Sequence, residues 1–323
     1  MSEQLKEIND LIKELEFTDK EIKFREQHYA FSAGNKMQVL TNILYSECYA
    51  KKIAHQQKVP AAPAAHSQSG DVEFIKTLSE NNFTTPYIDY EWTVKELLQN
   101  NFITVTKAGY SKTIPTSLCI NAGYPVQVNA LINIHQPKED AALQPGFYYA
   151  YSNQPFAFTQ TAVRVYWNLT SAGAPILLSA ITKLLNQYRI PFILKCLNDP
   201  ALYVRRDSAV LYLDIKYYKV FKWLLPDIQQ TIKNYLMPDV PLFTYKYAEG
   251  IGIAEHPLNN ESFGLKIMKI MASAIIKADD DQITNPTEKI NRIKAEFIKE
   301  ELDFNNPFLN KGSKNNLTKD ESE

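Results

Sequence analysis

Strand-like and helix-like segments follow one another in irregular order along this chain of 323 residues. Residues 163–169 alternate apolar and polar side chains, which is the period of a strand. Residues 175–188 carry apolar side chains at helical spacing, and residues 192–197 return to a strand-like run. Because these segments do not alternate in a regular βαβ order, they predict an α+β fold in which helices pack on an irregular mixed sheet.

The two ends of the chain differ from this central part. Apolar residues recur at helical spacing through residues 1–58, which predicts a helical N-terminal segment that packs on the main domain or offers a docking surface. Residues 59–71 are rich in Pro, Ala and Ser, and they predict a linker or an exposed loop. Residues 72–302 are then the α+β domain, and we expect the polar residues 303–323 to be a disordered tail.

Composition and charge exclude several classes of function. A net charge of −1 provides no field that would gather nucleic acid or an anionic membrane surface. No apolar run is long enough to span a membrane, and the charged N-terminus is unlike a secretory signal. The three scattered cysteines predict a cytoplasmic, reducing compartment and no structural zinc site. Motifs of phosphate-binding loops, zinc proteases and serine hydrolases are missing from the sequence.

Cations on apolar strand segments are the main chemical signal. Only six of the 35 basic residues are arginines, and four of these lie between residues 164 and 206. Arg164 projects from the alternating strand, and Lys195 is the single amine of an apolar run. Arg205 and Arg206 directly precede another strand-like run. Burial of such charges without partners costs several kcal/mol or more, so each cation either pairs with a carboxylate or faces a cleft that binds an anion.

An anion pocket is the interpretation that accounts for these four cations together. Arginine makes bidentate contacts to phosphate, and a lysine held among arginines is a candidate general base. Ser262 precedes a long apolar helix, whose free N–H groups and positive end would also favour an anion. The alternatives are simple ion pairs for the cations and a helix-capping role for Ser262. The carboxylates available for such ion pairs include Asp199, Asp207, Asp214 and Glu255.

Five further residues are weaker candidates for the same pocket. His135 ends an apolar strand, where a histidine is more often structural than catalytic. Glu255 and His256 lie in a loop predicted over residues 249–260 and could supply an acid. Lys246 lies on an alternating strand and could line the cleft, and Tyr203 precedes the arginine pair.

Five segments then stand in a recognisable order. They are RVYWNL from residue 164, IPFILK ending at residue 195, YVRRDSAVLY from residue 203, PLFTYKYAEGIGIAEHP from residue 241, and ESFGLKIMKIMA from residue 261. Their order and spacing resemble the HopA type III effector family over roughly residues 145–278. The same domain resembles the lyase of class V lanthipeptide and thioamitide-like peptide maturation. Glu249 departs from the family pattern, which usually has Pro before the glycine.

The resemblance implies a lyase that needs no metal and no cofactor. Such an enzyme eliminates phosphate from phosphothreonine or phosphoserine in a peptide or protein and leaves a dehydroamino acid. In lanthipeptide-like maturation, the implied partners are a phosphorylated precursor peptide and a kinase-like protein. In an effector secreted by a type III system, they are a host phosphoprotein and a secretion chaperone. The alternative is a non-catalytic effector that binds phosphorylated partners in the same cationic cleft, because a shared fold does not establish an activity.

Under the lyase hypothesis, each candidate residue has a role. Lys195 is the base that removes the Cα proton, and Glu255 or His135 protonates the leaving group. The residues expected to bind the substrate are Arg164, Arg205, Arg206, Lys246, Ser262 and Tyr203.

Overall fold

The computed structural model describes residues 3–32, 34–50, 70–120, 125–156, 162–259 and 261–318. Within these ranges the helices and three antiparallel sheets confirm the predicted α+β class. No described helix has both the length and the apolar character needed to cross a membrane. The α-helices are α1 (Glu3–Lys13), α2 (Lys36–Leu44), α3 (Val72–Glu80), α4 (Gly173–Gln187), α5 (Ile215–Ile232), α6 (Phe263–Asp280) and α7 (Pro286–Lys299).

The strands form a small N-terminal sheet, a five-stranded sheet and a seven-stranded central sheet. The small sheet contains β1 (Leu15–Phe17), β2 (Glu21–Phe24) and β3 (Gln27–Ala30). The five-stranded sheet contains β4 (Tyr87–Leu97), β5 (Phe102–Lys107), β6 (Tyr110–Pro115), β7 (Cys119–Ile120) and β8 (Leu131–Gln136), in the order β6-β5-β4-β8-β7. The central sheet contains β9 (Glu139–Asp140), β10 (Phe147–Tyr151), β11 (Ala162–Trp167), β12 (Ile193–Leu197), β13 (Ala209–Asp214), β14 (Tyr245–Ala248) and β15 (Ile251–Glu255). Its order is β14-β15-β11-β13-β12-β10-β9.

The central sheet is covered on both faces. Alternation along β11 sends Val163 and Val165 to one face, where α5 packs against β11 and β13. Arg164 and Tyr166 point to the opposite face, and the ring of Tyr166 contacts Phe263 of α6. All six residues of β11 are therefore buried, although their alternation predicts a half-exposed strand.

The N-terminal segment is helical at both ends, as predicted, and packs on the main domain. Helix α1 contacts α7, and α2 contacts α6. A π-helical turn, Tyr45–Ala50, extends α2 towards the central sheet. The three short strands between α1 and α2 were not predicted, because strands of three or four residues are too short to show a period. The predicted linker lies outside the described residues over positions 59–69.

The prediction of a loop over residues 249–260 is wrong for residues 251–255. Strand β15 occupies Ile251–Glu255 and lies between β11 and β14 in the central sheet. Gly250 and Gly252 suggested a loop, but each has a structural reason. Gly250 has a φ of +68° at the turn before the strand. A Cβ on Gly252 would lie 2.5 Å from Oγ1 of Thr244, so glycine here permits a close approach within the sheet.

The disordered tail expected from residue 303 is not observed over residues 303–318. Phe308 and Leu317 are buried in the main core. The Leu317 carbonyl accepts a hydrogen bond from the Tyr218 hydroxyl at 2.8 Å. These apolar contacts, together with hydrogen bonds from Asn310 and Ser313 to Glu255, attach the segment to the domain.

Candidate functional site

Strand register brings two of the predicted cations to one face of the central sheet. Arg164 of β11 lies directly opposite Tyr212 of β13. Lys195 of β12 lies opposite Val210, two residues from Tyr212 along β13. Opposed residues of an antiparallel pair, and residues two apart on a strand, point to the same side. The Arg164 guanidinium carbon is 5.4 Å and Lys195 Nζ is 6.0 Å from the centroid of the Tyr212 ring.

Arg164 is a buried cation with neutral partners. Arg164 is only 6% exposed. Nε donates to His256 Nδ1 at 3.0 Å, and Nη2 donates to the Glu261 carbonyl at 2.8 Å. Arg164 makes no ion pair in the part of the chain that the structure describes. A buried guanidinium without a carboxylate is unfavourable, and a bound anion would relieve this cost.

Lys195 also lacks a carboxylate partner among the described residues. Its ammonium lies 4.4 Å from the centroid of the Phe147 ring and near Tyr212, and its residue is half-buried. The expected alternative of an ion pair with Asp199 or Glu255 is not observed. Cation–π contacts with two rings hold the ammonium in place and leave its N–H groups available to a ligand.

Arg205 behaves differently, because its charge is matched. Nε and Nη2 donate to the two carboxylate oxygens of Asp207 at 2.8 and 2.9 Å, and Nη2 also donates to the Tyr45 hydroxyl at 3.1 Å. Burial acts to raise the pKa of the Asp207 carboxyl, but Arg205 and then Lys195 outweigh it and hold this pKa below its ordinary value. The ion pair therefore lies within electrostatic reach of Lys195.

The cationic cluster is defined here as Arg164, Lys195, Arg205, Asp207 and Tyr212. Three cations meet one carboxylate, so these side chains carry an excess of two positive charges. Tyr149, opposite Lys195 on β10, also lies in electrostatic reach of Arg164. Burial and neighbouring tyrosines raise the pKa of Tyr149, so its phenol stays protonated at neutral pH.

Ser262 begins α6 beside this cluster. Its hydroxyl accepts from the Leu265 amide at 3.5 Å, which agrees with the expected cap of the helix. The Glu261 carbonyl, one residue earlier, is the group that binds Arg164. The positive end of an 18-residue helix therefore adjoins a buried guanidinium, which increases the local preference for an anion.

Arg206 and Tyr203 make structural contacts instead. Arg206 Nη2 donates to the Glu7 carboxylate at 2.8 Å, and Nη1 donates to the Cys48 carbonyl at 3.2 Å. These bonds attach the N-terminal segment to the domain. The Tyr203 hydroxyl donates to the Leu197 carbonyl at 2.8 Å, and its ring packs against Phe74.

The remaining three candidates lie away from the cluster or at its edge. Glu255 is opposite Val163, so it points to the other face of the sheet, where it accepts from the Asn310 amide and the Ser313 hydroxyl. His135 is an exposed residue of β8 in the five-stranded sheet. Lys246 is exposed on the edge strand β14, on the Arg164 side of the sheet.

Sequence reasoning missed the aromatic members of the site. Tyr212 and Tyr149 lie on strands where alternation could have assigned them to the face of Arg164 and Lys195. His256 is a candidate acid of the sequence analysis beside Glu255, and a strand prediction for β15 would have favoured it over Glu255, since a shift of one residue changes the face. Tyr45 comes from a distant segment, and no local signal indicates its contact with Arg205.

The fold and the cluster define an α+β protein that buries an excess of positive charge on one face of a seven-stranded antiparallel sheet. The chain belongs to the HopA1 effector protein family, whose model matches residues 138–309, a little more than half of its length. This match confirms the resemblance found in the five sequence segments. It also extends the recognisable region at both ends beyond residues 145–278.

Two solved structures of effector proteins have a similar fold over nearly the whole chain. The effector protein from Pseudomonas syringae pv. tomato strain DC3000 is 15% identical, with a TM-score of 0.50 and coverage of 95% of this chain and 96% of that one. The effector protein from Pseudomonas syringae pv. syringae strain 61 is 13% identical, with a TM-score of 0.50 and coverage of 96% and 99%. No curated protein matches the chain. The fold similarity thus includes the N-terminal segment, which the sequence resemblance did not reach.

Proposed function

We propose that the protein binds phosphothreonine or phosphoserine at the cationic cluster and eliminates the phosphate. The observation that carries this proposal is the pair of cations over one ring. Arg164 and Lys195 both lie near Tyr212, and neither makes an ion pair within the described ranges. A dianionic phosphoryl group would match the two excess positive charges, and the planar fork of Arg164 suits its oxygens.

The chemistry of elimination fits the residues available. The Lys195 amine, once deprotonated, takes the Cα proton of the phosphorylated residue. The electron pair of that C–H bond forms the Cα–Cβ double bond, and the Cβ–O bond breaks. Phosphate leaves with the electrons of the broken bond and with the charge that Arg164 and the start of α6 stabilise. Water is not consumed, and the peptide retains a dehydroamino acid.

His256 is the better candidate to assist the leaving group. The predicted acids, Glu255 and His135, lie on the far face of the sheet and in another sheet. The hydrogen bond from Arg164 Nε to His256 Nδ1 supports a tautomer with the proton on Nε2. In that form the neutral ring can donate a hydrogen bond from Nε2 to the leaving phosphate oxygen while Nδ1 remains in contact with Arg164.

The test is incubation of the pure protein with a phosphothreonine peptide, followed by mass spectrometry. Elimination removes phosphoric acid, so the product is lighter by one water than the dephosphorylated peptide. We expect Lys195→Met to slow the reaction by about 100-fold to 10,000-fold, the range for loss of a general base. Lys219→Met is the matched control, since Lys219 is exposed on α5, which packs on the opposite face.

Two results would contradict the proposal. One is a product with the mass of the hydrolysed peptide, which would indicate a phosphatase. The other is unchanged elimination by Lys195→Met, which would remove Lys195 from the mechanism.

A second candidate is a non-catalytic effector that binds phosphorylated partners in the same cluster. The position of Glu255 and His135 away from the cluster favours it, because binding requires the cations but no acid. Phosphate-dependent binding without any change in peptide mass would support this function. The family match and the two effector structures support a role in type III secretion. A neighbouring gene for a kinase-like protein and one for a short Ser/Thr/Cys-rich precursor would support peptide maturation instead.

A further inference from the structure

A cleft of about 820 Å³ lies between the five-stranded sheet and the central sheet. Trp92 and Tyr110 line it from the five-stranded sheet, and Tyr151 and Ile193 line it from β10 and β12. Its volume and its largely aromatic and aliphatic lining are typical of sites that bind a small molecule or a short peptide segment. None of the proposed roles of the cationic cluster uses this cleft.

The lining combines buried aromatic rings with exposed apolar side chains. Trp92 is 4% exposed, and the Lys112 ammonium lies 4.3 Å from the centroid of its ring. Phe102 and Leu143 also line the cleft and are 42% and 59% exposed, so they present apolar surface to a ligand. Burial of this apolar surface against a ligand is favourable.

Both carboxylates in the lining are already engaged. Asp89 accepts from the Lys107 ammonium at 2.8 Å, and Asp140 accepts from the backbone amides of Ala142 and Leu143. The cleft therefore offers apolar contact rather than free carboxylates. An apolar or aromatic side chain of a peptide matches this lining.

The cleft adjoins the cationic cluster on the central sheet. Ile193 lies directly opposite Tyr212, and Tyr151 lies directly opposite Ile193. Ile193 and Lys195 are two residues apart on β12, so both point to the same face. An extended chain advances by about 3.3 Å per residue, and the path from Lys195 to the mouth of the cleft is therefore about two peptide residues long.

We infer that this cleft binds the extended peptide segment next to the phosphorylated residue. An apolar or aromatic side chain about two to four residues from that residue occupies the cleft. This inference rests on the proposed function, because it takes the phosphorylated residue to be bound at Arg164 and Lys195.

The experiment measures the affinity of three fluorescein-labelled nonapeptides by fluorescence anisotropy. Each peptide has at its centre a phosphothreonine analogue in which a methylene group replaces the bridging oxygen, so that it cannot be eliminated. The flanks contain only Gly and Ser in the first peptide. The second has Phe and Leu at the second and fourth positions before the analogue, and the third has them after it. We expect one of the two apolar peptides to bind at least about tenfold more tightly than the first, the gain expected for burial of one such side chain.

Variants of the lining connect this gain to the cleft. Phe102→Ser and Leu143→Ser each remove an exposed apolar side chain from the lining. Each should reduce the gain by about threefold, because the peptide then buries less apolar surface. Leu131→Ser is the control, because Leu131 is 64% exposed on the outer face of the strand that carries Gln136. Thermal unfolding of each variant shows whether it remains folded, and Leu143→Ser serves if Phe102→Ser does not.

Equal affinities for the three peptides would overturn the inference, and so would a gain that neither lining variant reduces. Unphosphorylated peptides with the same flanks separate this failure from that of the proposed function. A flank preference that persists without any effect of the phosphonate or of Arg164→Gln would contradict phosphate binding and leave the cleft assigned. A phosphonate effect without a flank preference would contradict the cleft alone.

Discussion

At the scale of single residues, Arg164 and Arg205 show two ways to bury a guanidinium. Two nitrogens of Arg205 donate hydrogen bonds to the Asp207 carboxylate, whereas Arg164 donates to a histidine ring and a backbone carbonyl. Arg164 and Arg205 are 6% and 4% exposed, so they differ in their hydrogen-bond partners and not in their burial. The unmatched charge of Arg164 is what makes this face a site for anions.

Substitution of Arg164 by Lys tests whether the planar fork is needed. Arg164→Lys keeps the charge but gives up the paired N–H groups, so we expect affinity for the phosphonate peptide to fall about tenfold or more. Arg292→Lys is the matched control, since Arg292 is half-exposed in an ion pair with Asp281 on the surface. Isothermal titration calorimetry measures both. Equal affinities of the two variants would show that Arg164 does not hold the phosphoryl group.

Asp207 gives a pH-dependent prediction. Its pKa is lowered in the folded protein, so its contribution to stability is present above the ordinary pKa of about 3.9 and is lost as pH falls through the lowered value. Asp207→Asn breaks a buried ion pair and should lower the free energy of unfolding by about 3–5 kcal/mol at neutral pH. Urea unfolding at several pH values should show this difference narrowing below about pH 4.

The control for Asp207 is an ion pair on the surface. Lys23 and Glu16 lie 3.0 Å apart with side chains 39% and 67% exposed, so Glu16→Gln should change stability by less than about 1 kcal/mol. A cost for Asp207→Asn that does not vary with pH would contradict the lowered pKa.

Part of the site could be predicted from single residues. Arg164, Lys195 and Ser262 were identified because each is a polar group in an apolar context, and the structure brings the first two over one ring and the third beside Arg164. Whether a cation has a carboxylate partner depends on tertiary contacts. Arg206 binds Glu7, which is 199 positions away, and no local pattern reveals such a pair.

At the scale of elements, packing of α6 against the π-helical turn positions the cluster. Gly264 lies in the first turn of α6, where a Cβ would be 2.4 Å from the ring of Tyr49. Tyr49 is itself stacked on Tyr45, which contacts Arg205. Gly264 therefore permits the close approach by which Tyr45 of the N-terminal segment reaches the cationic cluster.

Substitution of Gly264 by Ala measures the importance of that approach. Alanine is favoured over glycine in a helix by up to about 1 kcal/mol, but overpacking a buried contact costs about 1–3 kcal/mol. We expect net destabilisation in thermal unfolding, together with weaker binding of the phosphonate peptide. Gly34→Ala is the control, because a Cβ there meets nothing within 4 Å. Increased stability of Gly264→Ala would show that Tyr49 moves aside easily.

Long elements were predictable, and short or glycine-containing ones were not. Helices α4 and α6 and strand β11 have clear periods and lie close to their predicted positions. Strand β15 is predicted as a loop because it contains Gly252, which permits a close approach to Thr244, and this tertiary contact has no local signal. That error leaves Glu255 and His256 as equal candidates, although neighbouring residues of an extended chain point to opposite faces.

At the scale of the whole molecule, three parts of the chain meet near the cluster. The central sheet supplies the cations, the N-terminal segment supplies Tyr45, and the five-stranded sheet forms the far wall of the cleft. The sequence resemblance covered only the first of these parts. The five-stranded sheet has its own small core around Trp92 and Val94, and it lies mostly outside the matched region.

The most direct test of the central claim is a crystal structure of the protein with the phosphonate nonapeptide bound. We expect phosphonate oxygens within about 3.2 Å of the Arg164 guanidinium and of Lys195 Nζ, near the start of α6, with the peptide chain passing Ile193. A phosphonate bound elsewhere, with Arg164 and Lys195 in the contacts described above, would contradict the assignment of this face as the phosphoryl site.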